Sequence, residues 1–207
     1  MAISLTKGGN INLTKSDPLL KNITVGMGWD VRITDGETFD LDASVLMVKA
    51  DGNARSDKDF IYYNQKNSAC GSIQHDGDNK TGLGDGDDES IHVVMDKVPA
   101  EIEKLIVCVS IFHADEKKQN FGQVLNAFIR LVNKDSNEEV TRYDLSENAS
   151  MHTAMIFGEI YRYEGEWKFR AVGQGFKGGL AELARFRSMN PVSNCLHFCF
   201  PVASAVR

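Results

Sequence analysis

The sequence predicts a mainly β protein, a β-sandwich with a few short helices and one helix near the C-terminus. Ten or more short apolar segments follow one another along the chain, and turn signals separate them at close spacing. Little sequence before residue 178 has a helical period. A chain of 207 residues with 42% hydrophobic content can bury a sizeable core as one domain.

The first half of the chain predicts an opening hairpin followed by several strands. Two short apolar pieces within residues 2–14 flank Lys7-Gly8-Gly9, which is the pattern of two strands joined by a tight turn. Gly26 and Gly28 interrupt the next apolar segment and permit a bulge or a close backbone approach there. The strands predicted after the hairpin span residues 21–31, 39–48, 60–63 and 89–95.

The second half predicts a central buried strand at residues 105–112, the most strongly apolar run of the chain. Pro99 opens a single helical turn predicted over residues 98–104. Gly173-Gln174-Gly175 predicts a tight turn, because no Lys-Ser/Thr pair follows it as in a phosphate-binding loop. An amphipathic helix is predicted from residue 178 to about residue 188. The other predicted strands span residues 126–133, 139–145, 155–163 and 167–170.

Residues 75–90 are an acidic, glycine-rich stretch that we call the acidic loop. It contains six carboxylates, four glycines and one lysine, so it carries −5 of the formal net charge of −6. Neighbouring carboxylates about 5–6 Å apart repel by about 3 kcal/mol at an effective dielectric constant near 20. Glycines let backbone carbonyl oxygens turn inward beside the carboxylates, and calcium takes about six to eight such oxygen donors. The stretch therefore predicts a calcium-binding loop.

The alternative for the acidic loop is a solvated turn, in which water and salt alone offset the repulsion. The loop does not follow the EF-hand pattern. Asp78 and Glu89 have the spacing of the two ends of an EF-hand loop, but Lys80, Gly82 and Leu83 occupy inner positions that need Asp or Asn and Gly. A calcium site here therefore has another design.

Three aspartates outside the acidic loop are candidates to share its ion. Asp40 and Asp42 fall on one face of a predicted strand, because side chains repeat with a period of two along a strand. Taken alone, this pair favours an exposed strand end over a bound cation, and the acidic loop elsewhere in the chain shifts the balance towards a shared site. Asp30 lies at the end of the preceding predicted strand and is a third candidate.

Composition excludes several functional classes. A pI near 5.4 leaves no basic surface for nucleic acid. No apolar run is long enough to span a bilayer, and the N-terminus has no signal-peptide pattern, so the expected location is cytoplasmic. Four cysteines fit a reducing compartment, and Cys108 is expected to be a buried hydrophobe. Cys195 and Cys199 flank His197, but no second ligand pair is present, which disfavours zinc.

Several long motifs stand in one order between Ser4 and about Ala184. The sequences are Ser4-Leu5-Thr6-Lys7-Gly8-Gly9, Gly26-Met27-Gly28-Trp29-Asp30, Phe39-Asp40-Leu41-Asp42-Ala43-Ser44, Phe60-Ile61-Tyr62-Tyr63-Asn64, Gly77-Asp78-Asn79-Lys80-Thr81-Gly82, Gly84-Asp85-Gly86-Asp87-Asp88-Glu89, Tyr143-Asp144-Leu145 and residues 166–175. With these motifs the chain resembles the TerD-like domain family of tellurite-resistance and stress proteins.

The resemblance implies a non-enzymatic β-sandwich at residues 1–190 that binds two calcium ions and takes part in resistance to tellurite, phage and colicins. Residues 191–207 would then be a divergent or artificially added tail. Other tellurite-resistance proteins are the implied partners. The implied calcium ligands, besides carbonyl oxygens near Trp29 and residues 81–84, are Asp30, Asp40, Asp42, Asp78, Asn79, Asp85, Asp87, Asp88 and Glu89.

Two other kinds of function remain open from the sequence. One is enzymatic: a metal-assisted hydrolase with His75 or His92 as base, or a reductase of tellurium oxyanions that uses Cys195 and Cys199. The other is a scaffold that assembles with proteins of the same operon type at the inner face of the membrane, without insertion into it. Both histidines are expected to be structural, because they flank a loop-to-strand junction.

Overall fold

The computed structural model describes residues 2–30, 39–77, 86–145 and 151–186. Short strands with alternating or fully apolar sequence account for most of the described chain. They are β1 (Ile3–Leu5), β2 (Asn10–Asn12), β3 (Asn22–Asp30), β4 (Leu41–Val48), β5 (Phe60–Ile61), β6 (Ile73–His75), β7 (Glu89–Val94), β8 (Lys104–Ile111), β9 (Leu125–Asn133), β10 (Glu138–Asp144), β11 (Ala154–Tyr163) and β12 (Glu166–Phe176). The α-helices are α1 (Leu13–Ser16), α2 (Ala114–Lys117) and α3 (Gly179–Phe186).

The strands form two six-stranded sheets, which confirms the predicted fold class. The first sheet has the order β1-β10-β9-β3-β7-β6 and the second the order β2-β12-β11-β8-β4-β5. Neighbouring strands pair antiparallel, except that β1 runs parallel to β10. None of the described helices combines the length and the apolar character needed to cross a membrane.

The main core lies between the two sheets. Every second residue of β3 and β7 points into it, because side chains alternate between the faces of a strand; Val25 and Ile91 are examples. A second apolar cluster covers the outer face of the second sheet, where Leu183 of α3 packs with Leu46 and Ile156. The second sheet is therefore buried on both faces along β4, β8 and β11, whose sequences are apolar almost without interruption.

The predicted opening hairpin is wrong. Residues 2–14 do contain two strands, but they do not pair with each other. Ile3–Leu5 pairs with β10 in the first sheet, whereas Asn10–Asn12 pairs with β12 in the second. The Lys7-Gly8-Gly9 segment crosses between the sheets, and the Gly8 N–H donates to the Ala171 carbonyl at 2.8 Å. A short-range pattern shows that two strands are present, but it does not show which sheet each one joins.

Three smaller expectations also need correction. The helical turn lies at Met95–Lys97, immediately after β7, and not at residues 98–104. The strand predicted at residues 60–63 is only two residues long. Gly173-Gln174-Gly175 is not a turn but part of β12, beside a register shift opposite residues 156–158, where Gly173 has a φ of 60°. The central strand and the C-terminal helix were predicted correctly.

Candidate functional site

The last residues of the acidic loop enter β7 with their side chains on different faces of the fold. Glu89 shares the interior side of β7 with Ile91 and Val93. Asp87 instead lies against the outer face of the first sheet, because its carboxylate occupies the space beside Gly26, where a Cβ would come within 2.1 Å of it. Asp87 and Glu89 therefore lie on opposite faces of the first sheet, although only one residue separates them in sequence.

Asp87 is paired with Arg130 of β9. The guanidinium Nε donates to one carboxylate oxygen of Asp87 at 2.8 Å and an Nη donates to the other at 3.2 Å, which is a two-point contact. The Asp87 side chain is only 15% exposed, and Arg130 also contacts Glu139 at 3.2 Å. A protein cation therefore already neutralises this member of the acidic loop.

Asp88 is held at the end of β3. Its carboxylate accepts the Trp29 N–H at 2.9 Å, and its own N–H donates to the Met27 carbonyl at 2.8 Å. Burial raises the pKa of Asp88 above its usual value. The Trp29 hydrogen bond opposes that rise in pKa, whereas the negative charges of Asp87 and Asp30 add to it. Asp30, Asp87 and Asp88 thus form one group of like charges, which we call the acidic rim.

The third member of the acidic rim, Asp30, is exposed at the end of β3, next to a register shift against β9. Asn126 of β9 donates to its carboxylate at 2.5 Å. Asn126 has a φ of 50°, a left-handed conformation that Asn tolerates better than most residues. This left-handed residue of β9 therefore orients a predicted ligand. The sequence offered no signal for this contact, because the two residues are far apart in the chain.

Glu89 and His75 form what we call the intersheet clasp. Both are buried, and both bind the backbone of Ala43 in β4, a strand of the opposite sheet: Glu89 accepts the Ala43 N–H, and His75 Nε2 lies 3.1 Å from the Ala43 carbonyl. The Gly77 N–H donates to His75 Nδ1 at 3.1 Å, so Nδ1 carries no proton and Nε2 is the donor to Ala43. The clasp joins the two sheets where the acidic loop begins and ends.

The structure places Asp42 away from the acidic rim. In β4, Leu41 and Ala43 point between the sheets, so Asp42 points to the outer face of the second sheet. There it is 4% exposed and lines a cavity with residues of β8 and α3. Asp40 precedes the strand, and its carbonyl accepts the Phe112 N–H at 2.8 Å. The predicted shared face of Asp40 and Asp42 is therefore not the face that carries Asp87.

Of the nine predicted ligands, the structure brings Asp30, Asp87 and Asp88 together and separates Glu89 and Asp42 from them. Asp40 lies immediately before β4, the strand that carries Asp42. Asp78, Asn79 and Asp85 lie outside the described residues, as do Cys195, Cys199 and His197. Within the described ranges, no three His, Cys, Asp or Glu side chains are close enough together to hold one metal ion. A metal centre at the acidic rim would therefore need donors besides these three carboxylates.

Both histidines named as candidate bases have structural contacts. His75 uses both ring nitrogens in the intersheet clasp. His92 lies with Nε2 2.7 Å from the Asp76 carboxylate and Nδ1 3.0 Å from the Thr24 hydroxyl. The expectation that both are structural agrees with these contacts. The described cysteines, Cys70 and Cys108, are free thiols, and Cys108 is buried as expected.

Comparison with known proteins identifies relatives along nearly the whole chain. The family described as the TerD domain matches residues 1–186. A tellurium resistance protein TerD of Serratia marcescens is 56% identical over 190 residues, which are 92% of this chain and 99% of that protein. General stress protein 16U of Bacillus subtilis (strain 168) is 51% identical over 185 residues, covering 89% of this chain and 96% of that protein.

A solved structure has the same fold. It belongs to a homologue of the telluride resistance protein TerD from Streptomyces coelicolor A3(2) and superposes with a TM-score of 0.67 at 25% identity. The superposition covers 80% of this chain and 95% of that one.

Proposed function

Because this chain belongs to the TerD domain family, we propose that it is a calcium-binding stress-response module without catalytic activity. Its family is one of tellurium-resistance and stress-response proteins. In this proposal two calcium ions order the acidic loop, and the ordered loop forms a surface for other tellurite-resistance proteins. Its contribution is resistance to tellurite, and to phage and colicins.

The observation that carries the proposal is the mutual repulsion within the acidic rim. Burial is the main cause of the raised pKa of Asp88, and the neighbouring charges of Asp87 and Asp30 raise it further, so the folded chain holds these carboxylates closer together than their charges favour. Calcium binds hard oxygen donors in irregular geometry. Asp30 and Asp88 would supply such donors, and Asp78, Asn79 and Asp85 would complete the set.

The predicted calcium donors in the described part of the chain are not equally available to bind an ion. Asp87 already binds Arg130, so calcium would have to share or displace a guanidinium. Glu89 holds the Ala43 N–H in the core, where its role is to join the sheets. Asp42 lies in a separate cavity, and Asp40 is two residues before it in sequence. A second ion near Asp40 and Asp42 would therefore be distinct from the ion at the acidic rim.

Calcium should raise the melting temperature of the protein. A ligand that binds only the folded state stabilises it by about 2.7 kcal/mol at a hundredfold excess over its dissociation constant. For a domain of this size, that free energy corresponds to roughly 5–10 °C. Melting curves in calcium and in chelator, repeated on Asp30→Asn, test this proposal. Coincident curves for the unmodified protein would exclude it.

The absence of a catalytic role and the partner surface need separate tests. His75 and His92 are engaged in hydrogen bonds, which supports a structural role for both. Pull-downs with the other resistance proteins, with and without calcium and with membrane fractions, test the partner surface. Capture that does not respond to calcium would favour a plain scaffold. Resistance that survives deletion of residues 191–207 would exclude a reductase that depends on Cys195 and Cys199.

A further inference from the structure

A cavity of about 330 Å³ lies on the outer face of the second sheet, between that sheet and helices α2 and α3. Cavities of this size are in the range that holds small ligands. Of the proposed calcium donors that the structure describes, only Asp42 lines this cavity. The lining residues on which the argument rests include Asp42, Phe112, Asp115, Glu116, Leu180 and Ala181. We call it the α2–α3 cavity.

The charges of the α2–α3 cavity favour a cation. Its described lining includes three carboxylates and one histidine, and no lysine or arginine. Asp42 is 4% exposed and forms the inner part of the wall. Glu116 is 76% exposed at its side chain, marks the mouth of the cavity and lies 2.7 Å from His113 Nδ1. Carboxylate side chains thus lie both in the inner wall of the cavity and at its mouth.

The start of α3 does not favour an anion. The Gly178 N–H donates to Glu182 at 2.6 Å, and the Gly179 N–H donates to the Thr153 hydroxyl at 3.1 Å. Thr153 donates in turn to the Lys177 carbonyl at 2.7 Å. The N–H groups of these two glycines are therefore used within the protein, and these hydrogen bonds fix the helix as a cavity wall.

One wall of the α2–α3 cavity is aromatic. Tyr63 and Phe112 meet edge to face with ring centroids 6.2 Å apart, and Phe112 is 37% exposed. Lys117 Nζ lies 6.0 Å from the Phe112 ring centroid, at the outer limit of a cation–π contact. An alkyl chain would pack on these rings, as it would on Ile111 and Leu180.

The three carboxylates line one cavity without converging on one point, because no described group of three acidic or histidine side chains could hold a single ion. Spread negative charge over an apolar floor fits an extended molecule with a positive charge at each end. We infer that the α2–α3 cavity binds a short alkyl diamine. One ammonium group would bind near Asp42 and the other near Asp115 and Glu116.

The loop that closes this cavity is held in a defined shape. His113 and Lys118, on either side of α2, have φ values of 54° and 52°, left-handed conformations that cost energy in residues other than glycine. Such conformations persist where their surroundings determine them. The wall that carries Phe112 and Glu116 is therefore formed before a ligand arrives.

Putrescine, a four-carbon diamine, is the probe, and succinate, a four-carbon dianion, is its charge-reversed control. Binding is measured by calorimetry and by melting temperature on the full chain stripped of calcium, so the result does not depend on the calcium proposal. We expect saturable binding of putrescine and none of succinate. Ala181→Leu, which fills the cavity without changing charge, should weaken binding at least about tenfold.

Charge variants separate this cavity from the acidic loop, which could also attract an amine. Glu116→Gln should weaken putrescine binding about twofold to fivefold, whereas Glu164→Gln, at an exposed turn outside the cavity, should leave it unchanged. Circular dichroism checks that Ala181→Leu folds, and Phe112→Ser is a second cavity variant. If Ala181→Leu and Phe112→Ser both leave the affinity for putrescine unchanged, the inference is overturned. Equal binding of succinate, or saturation of the same site by calcium alone, would overturn it as well.

Discussion

At Asp88 the fold holds a carboxyl group whose pKa lies above its usual value of 3.8, chiefly through burial. Such a group binds its proton more tightly in the folded than in the unfolded state. Its contribution to stability is therefore largest below pH 3.8 and falls as the pH rises through the folded-state pKa. Near neutral pH the charged Asp88 opposes folding unless a cation lies beside it.

Asp88→Asn should therefore melt no lower than the unmodified protein when calcium is absent, because the amide oxygen still accepts the Trp29 N–H. Its melting temperature should also fall less as the pH rises from about 4 to 7. In calcium the variant should gain less than the unmodified protein. Thermal melts across pH measure both effects, with the exposed Asp96→Asn as control. A variant that is clearly less stable without calcium would contradict this explanation.

Arg130 acts as an internal counterion for the acidic loop. Replacing it by Met leaves the largely buried Asp87 without its two-point partner, so we expect a loss of about 1–3 kcal/mol in the free energy of unfolding without calcium. Calcium should recover part of that loss, so its stabilising effect should be larger in Arg130→Met. Denaturant titrations with and without calcium measure this. Lys21→Met, which breaks an exposed pair with Asp96, should change the free energy of unfolding much less than Arg130→Met does.

Between elements, the intersheet clasp ties the acidic loop to the core. His75→Leu would leave both the Ala43 carbonyl and the Gly77 N–H without their partner in His75. A buried backbone group left unsatisfied costs about 1–3 kcal/mol, and the half-buried Gly77 N–H should cost less than the Ala43 carbonyl, so we expect a total loss of at least about 2 kcal/mol. Chemical denaturation measures it, and hydrogen exchange should show lost protection at the Gly77 amide. His113→Leu, at an exposed site, is the matched control.

Element positions were largely readable from the sequence, but their pairing was not. The apolar run that became β8 and the amphipathic helix α3 carry their period in consecutive residues. The partners of Ile3–Leu5 and Asn10–Asn12 lie more than a hundred residues away, where no local pattern reaches. The glycines of β12 looked like a turn because a bulge and a turn use the same residue.

Composition predicted where the candidate site lies in the sequence, but the folded structure changed which residues belong to it. Crowded acids and glycines identified the acidic loop, and alternation along a strand placed Asp40 and Asp42 on one face. Which side of which sheet that face belongs to depends on the assembled sandwich, so Asp42 came to lie in the α2–α3 cavity. Arg130 was missed because a lone arginine in a predicted strand gives no sign of the carboxylate that it meets.

For the molecule as a whole, the first twelve residues are expected to support both sheets independently. Deleting residues 1–5 should expose the edge of β10 but leave the amide of Ala171 protected, because its N–H donates to Gly9. Deleting residues 1–12 also removes the buried Ile11 and should cost about 3 kcal/mol or more. Hydrogen exchange on both truncations measures this. Loss of protection at Ala171 in the shorter deletion would mean that the two strands act as one unit.

The division of β1 and β2 between two sheets also affects the order in which a nascent chain can fold. These strands are synthesised before the other described strands, whereas their partners, β10 and β12, come late in the order of the described strands. Until those partners are synthesised, β1 and β2 have unpaired strand edges. Long-range strand pairings of this kind are also slow to form. During synthesis, this stress-response chain is therefore itself most exposed to aggregation shortly before its final strands arrive.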